Sequence, residues 1–259
     1  MFLINIYGVY NYEFPVNCGK SHAKGVQIGA TIIGGSDALV GEHPWQVIVS
    51  AANETNPDAR DFCGGTIIDD RWILTASHCV EHIKDVTNYY IRLGVHNRTA
   101  REPTEVDIKV NKVILNPGWV GPPIYNNDIA LIKLNDAIDF IGKHKHLEPI
   151  CLATNTTKVT DNCITIGFGY TKTNNTDKAI ILQKVNEPLF DSKQCAQVWD
   201  GIYNETTEIC AGGTPTGGTG VIFGDSGGPL LCEASDGKWY ELGVLSFCSA
   251  HSATPNIPD

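Results

Sequence analysis

The chain has 259 residues, 42% hydrophobic and 19% charged, with a formal net charge of −10. That length buries a sizeable core, either as one domain or as two small ones. The acidic balance, with no basic cluster beyond a few residues, argues against nucleic acid and anionic membrane surfaces as partners, and no apolar run approaches the ~20 residues that span a bilayer.

In chain order, residues 2–9 are apolar but short, interrupted by Asn5 and without a basic n-region, so they make a poor signal peptide and an incomplete or unusual start. Short β-branched runs between turn signals predict strands over residues 46–50, 71–75, 89–94, 129–134, 163–167 and 243–247. Helical periodicity is sparse. The fold expected from this pattern is all-β, a barrel or a sandwich.

Three motifs carry chemistry: Leu74-Thr75-Ala76-Ser77-His78-Cys79, then Asn127-Asp128-Ile129-Ala130-Leu131, then Gly224-Asp225-Ser226-Gly227-Gly228-Pro229-Leu230. A serine hydroxyl is a poor nucleophile at neutral pH and needs a base to take its proton. Histidine titrates near the working pH, and a carboxylate fixes its tautomer. Any one motif alone reads equally well as a turn or a satisfied core residue. Three in this order, with Pro44-Trp45-Gln46-Val47, Cys63-Gly64-Gly65-Thr66-Ile67-Ile68 and Cys163-Ile164-Thr165-Ile166-Gly167-Phe168-Gly169 around them, are hard to explain that way.

From 32 to 259 the sequence resembles the trypsin/chymotrypsin family of serine proteases, and its His, Asp, Ser order is the order of that family. The resemblance implies two packed six-stranded antiparallel β-barrels with the active site between them. The first barrel would run from about 32 to 145 and the second from about 146 to 259, joined near residues 143–148, after a leader or propeptide over 1–31. The sequence stops where the family continues into a last strand and a C-terminal helix, so the second barrel is expected to be truncated.

The resemblance also assigns roles. Ser226 attacks, His78 shuttles the proton, Asp128 orients His78, and the N–H groups of Gly224 and Ser226 form the oxyanion hole. Ile32, opening Ile32-Ile33-Gly34-Gly35, becomes a new N-terminus that pairs with Asp225 after cleavage. Thr31 stands where family zymogens carry Arg or Lys, so the activating protease is expected not to be trypsin-like. Gly220 occupies the position of the trypsin pocket aspartate, and Ser246-Phe247-Cys248 matches the strand that pairs with the substrate backbone. With no acid at 220 and Cys248 in place of glycine, the pocket is expected to resemble that of chymotrypsins, elastases or collagenases rather than trypsins.

Nine cysteines without CxxC metal spacing point to disulfides in an oxidising compartment. The resemblance pairs Cys63 with Cys79, Cys163 with Cys232, Cys195 with Cys210, and Cys18 with Cys151. Cys248 is left over, and Ile222 stands where the family places one half of a further bridge. Five sequons, at Asn53, Asn97, Asn155, Asn174 and Asn204, agree with secretion.

Residues 211–220 are Gly/Thr-rich, but no phosphate-loop Gly-Lys-Ser/Thr follows. Lys143-His144-Lys145-His146 reads as a solvated linker, and residues 96–105 offer only Glu105 toward a calcium ion, so no metal and no cofactor are expected. The resulting expectation is a secreted serine endopeptidase made as a zymogen. Its partners would be polypeptide substrates, an activating protease and protein protease inhibitors. The alternative is a catalytically silent homologue that serves as a binding or regulatory protein. An esterase of another fold fails on the triad order.

Overall fold

The computed structural model describes residues 17–23, 35–170, 178–212 and 224–248. Strand β1 (Ser36–Asp37) precedes β2 (Gln46–Ala51), a helical turn α1 (Pro57–Arg60), β3 (Asp61–Asp69), β4 (Trp72–Thr75) and a second turn α2 (Ser77–Val80). Next come β5 (Tyr89–Leu93), β6 (Val106–Leu115) and β7 (Ala130–Leu134). The second half holds β8 (Cys151–Leu152), β9 (Val159–Gly167), β10 (Gln183–Asn186), helix α3 (Ser192–Val198), β11 (Pro229–Ala234) and β12 (Trp239–Val244).

Six strands close into a barrel in the order β2-β3-β4-β7-β6-β5, with Val47 opposite Leu93 sealing the ring. The period-2 pattern sets which side chains fill it. On β7, Ala130, Ile132 and Leu134 point in while Leu131 and Lys133 point out. On β6, Ile108 and Val110 are buried between Asp107, Lys109 and Asn111. Trp45, Ile67, Ile73, Ile91, Leu93, Ile132 and Leu134 are essentially inaccessible, each worth about 1.5–3 kcal/mol of burial on an aliphatic scale.

The second six strands, β1-β10-β9-β11-β12-β8, form an open sheet among the described residues. All its pairings are antiparallel except β12 with β8. Two closed barrels were expected. Among the described residues the edge strands of this open sheet are β1 and β8, two residues each. The strand expected over residues 243–247 has different bounds. The strand is β12, Trp239–Val244, and Leu245 continues beyond it against the turn before β11, exchanging backbone hydrogen bonds with Gly227 and Gly228 at 2.8 Å each. The expectation about the end of the chain falls beyond Ser246-Phe247-Cys248, outside the described residues.

The two halves meet closely. Gly64 on β3 lies where an added Cβ would be 3.1 Å from Gly228 Cα, and its N–H donates to Ser226 O at 2.8 Å. Thr66 Oγ1 donates across the seam to Glu241 Oε2 at 2.6 Å. Residues 17–23 are fastened on by the Cys18–Cys151 disulfide, by Gly19 N donating to Pro149 O, and by Trp239 N donating to Gly19 O. His22 Nε2 lies 3.0 Å from Glu148 Oε2. Gly19 has φ +69, and a Cβ there would sit 2.3 Å from Trp239 O, so only glycine fits.

Candidate active site

His78 reaches the cleft because β4 ends at Thr75, whose hydroxyl donates to Gly64 O at 2.8 Å. Ala76 is extended, and a single helical turn then presents His78. The buried Ser77 hydroxyl donates to Ile129 O at 2.7 Å, tying this turn to the segment that enters β7. Asp128 stands on that segment. Among the described residues, the two non-glycine residues with positive φ, Tyr125 (52°) and Asn127 (58°), both lie just before it, and such backbone states concentrate where geometry is over-determined.

Asp128 is 2% exposed and accepts three hydrogen bonds. Its Oδ1 takes the backbone N–H of His78 at 2.8 Å, and its Oδ2 takes His78 Nδ1 at 2.6 Å and the Ser246 hydroxyl at 2.5 Å. An acceptor so placed requires the proton on Nδ1, which leaves the lone pair of Nε2 toward the cleft. Ser226 lines the same cleft, on the turn that leads into β11. That turn is built from glycines for specific reasons. At Gly227 (φ +77) a Cβ would lie 2.3 Å from Thr75 Oγ1 and 2.7 Å from Gly64 O, and Gly224 has φ +99.

Asp225 is 4% exposed, with Gly169 N donating to its Oδ1 at 2.8 Å. A Cβ on Gly167 or Gly169 would fall 2.2 or 2.4 Å from its carboxylate, so glycines make room for a buried charge. Ile32, Gly220, Ile222, Thr31 and Asn174 lie outside the described residues.

The cleft encloses about 620 Å³. Phe247 and Cys248 line it, with Phe247 packed on Trp199 at 5.3 Å and on Tyr125 at 5.7 Å between ring centroids. Tyr125 meets the His78 ring edge-on at 6.2 Å. Phe62 and His82, 5.7 Å apart, line it as well. Tyr125, Trp199, Phe62 and His82 carry no signal of their own in the sequence, although Tyr125 and Phe62 sit beside motifs. Ser246, expected on the substrate strand, donates its hydroxyl to Asp128.

The disulfides join Cys63 to Cys79, Cys163 to Cys232, Cys195 to Cys210 and Cys18 to Cys151, and Cys248 stands outside these four. Cys63, His78 and Cys79 cluster closely enough to suggest a metal, but both sulfurs belong to one disulfide and offer no thiolate. In residues 96–105, Glu105 is held by Arg92 at 2.8 Å and Arg101 at 2.9 Å, and Glu102 accepts the N–H groups of His96 and Asn97. Among the described residues, no helix is long and apolar enough to cross a membrane.

Comparison with known proteins adds two findings. Residues 32–259 match the family model described as Trypsin. The chain is also 31% identical over 228 residues to the Ovochymase of Halocynthia roretzi, an alignment that covers 85% of this chain and 14% of that protein's length.

Proposed function

The chain belongs to the trypsin family of serine proteases, and from that premise we propose that it is a secreted glycoprotein endopeptidase, made as a zymogen. In this reading Ser226 is the nucleophile, His78 its general base and later the acid, and Asp128 the group that orients His78. The peptide carbonyl is attacked to give a tetrahedral oxyanion, which the N–H groups of Gly224 and Ser226 receive. Collapse of that intermediate expels the amine with the proton from His78, and water then releases the acyl group by the same steps in reverse. No cofactor enters.

The observation that carries the reading is the 2.6 Å contact between His78 Nδ1 and Asp128 Oδ2, in the cleft that Ser226 also lines. The buried Asp225, with Gly167 and Gly169 packed against its carboxylate, supports a role for that carboxylate as the receiver of the Ile32 amine. Cleavage after Thr31 requires an activator without trypsin-like preference. The domain reading is a peptidase domain over 32–259 behind a leader over 1–31. Apolar lining from Phe247, Trp199 and Tyr125, and Gly220 in place of an acid, favour apolar over basic side chains in the pocket. Protein protease inhibitors would compete for the same cleft.

The test is fluorophosphonate labelling followed by intact mass, on protein cleaved to begin at Ile32 and on uncleaved protein. The expected result is one adduct in the cleaved form only, lost in Ser226→Ala. No adduct in either form of a folded protein sinks the catalytic reading and leaves a silent homologue.

A further inference from the structure

We propose that Asn204 carries an N-linked glycan that stands on the rim of the cleft and screens folded proteins from it, so that extended and unfolded chains are the preferred substrates. This rests on the reading of the chain as a secreted protease, because only passage through the secretory pathway exposes a sequon to glycan transfer.

The four described sequons are not equivalent. At Asn97 the side-chain Oδ1 is held by Thr99 N, Thr99 Oγ1 and Ala100 N, and the middle residue of its sequon, Arg98, is 3% exposed with its Nε on Ala179 O. Asn53 and Asn155 are exposed, but no neighbour of either lines the cleft. Asn204 shares the side-chain turn of Asn97 but has the exposed Glu205 in the middle of its sequon and stands on a loop that lines the cleft. Its Oδ1 accepts from Thr206 N at 3.1 Å and from Thr206 Oγ1 at 2.7 Å, an Asx turn that leaves Nδ2 without a hydrogen-bond partner among the described residues. Asn204 is half-buried, and Glu205 and Thr206, the rest of its sequon, are exposed.

Its surroundings give that position a consequence. Trp199 and Ile202, on the same loop, line the cleft, and Ile202 is 41% exposed. The loop is closed by the Cys195–Cys210 disulfide and braced by Tyr203 OH donating to Glu208 O at 3.2 Å. Thr207 Oγ1 donates to Asn126 Oδ1 at 3.1 Å, and Asn126 adjoins Tyr125 on the opposite half of the cleft. A bulky polar group rooted here is held by a pinned loop, two residues from the cleft wall. An extended chain enters along the cleft, whereas a folded protein must bring a broad surface against the rim.

The transfer itself balances with one co-reactant, a lipid-diphosphate oligosaccharide. Nδ2 forms a bond to the anomeric carbon, the bond from that carbon to the diphosphate oxygen breaks, Nδ2 loses a proton, and the lipid diphosphate departs.

The experiment uses the full chain secreted from a eukaryotic host and cleaved to begin at Ile32. Glycopeptide mass at Asn204 is read with and without enzymatic glycan removal. Hydrolysis of one test protein is compared in its folded form and in its reduced, unfolded form, for the parent and for Asn204→Gln and Thr206→Val. The expected outcome is occupancy at Asn204, with several-fold faster cleavage of the folded substrate in both variants and an unchanged rate on the unfolded one. Unmodified Asn204 in the secreted, folded protein overturns the proposal, as does a folded-to-unfolded ratio that ignores glycan loss. Full occupancy with no labelling of Ser226 supports the glycan assignment while sinking the protease reading, so the two failures are distinguishable.

Discussion

Asp128 holds three donors on two oxygens, and each contact makes a separable demand on the chemistry. Asp128→Asn keeps the shape but puts an amide where Nδ1–H must donate, favouring the wrong tautomer; in a triad this costs about 10⁴ in kcat. Ser246→Ala removes one hydrogen bond to a charged acceptor, worth about 1.5–3 kcal/mol. Its kcat is therefore expected to fall roughly 10- to 100-fold with KM little changed; a variant as fast as the parent would show that the hydroxyl is a bystander. The motifs made His78, Asp128 and Ser226 candidates in the sequence, because each carries its own flanks. The Ser246 contact was not legible: it spans 118 positions, and its local sequence spoke only of a substrate strand.

At the scale of elements, the turn before β11 is fixed by crowding against β3 and β4. Gly227→Ala would place a methyl 2.3 Å from Thr75 Oγ1 and 2.7 Å from Gly64 O, at a backbone angle that already costs an L-residue about 1–2 kcal/mol. Gly237→Ala shares the angle, φ +75, but meets nothing within 4 Å. The pair separates strain from collision. Gly237→Ala should lower stability by about 1 kcal/mol, whereas Gly227→Ala should cost more and also abolish turnover, as read by thermal melting and active-site titration. Strands such as β2 and β7 were visible in the sequence because β-branched residues sit between clear turn signals. The alternation in β6 is equally plain, but its Asp, Lys and Asn positions break the β-branched run that marks the other strands. By contrast β1 and β8, two residues each, exist only through partners far away in the chain, and nothing local announces them.

For the whole molecule, two buried titratable groups set opposite limits on stability. Glu241, beneath the seam and bonded to Thr66, is pushed by burial from 4.5 to about 8. The folded protein keeps a proton there that the unfolded chain releases, so its stabilisation is complete below about pH 4.5 and is lost as pH rises toward 8. His43, packed between Trp45 and Trp239, is pushed by burial from 6.5 down to about 4, with Glu42 opposing and Lys184 reinforcing. The unfolded chain takes up that proton first, so this contribution is lost as pH falls from 6.5 toward 4. Each slope is about 1.4 kcal/mol per pH unit at most. Between pH 4.5 and 6.5 these two slopes oppose each other, and above pH 6.5 the Glu241 slope acts without that opposition, giving a decline in melting temperature up to pH 8. Glu241→Gln, neutral throughout, should flatten that alkaline decline; an unchanged slope would place its origin elsewhere.

The segment at residues 17–23 has a practical consequence. It is bolted to the body by Cys18–Cys151 and by two backbone hydrogen bonds around Gly19. A cut before Ile32 therefore severs the chain without detaching it. An antibody raised against the segment, or a tag placed on it, would count precursor and product alike on a non-reducing gel. On such a gel a thiol reductant is what would tell them apart, so the proposed cleavage before Ile32 has to be followed under reducing conditions.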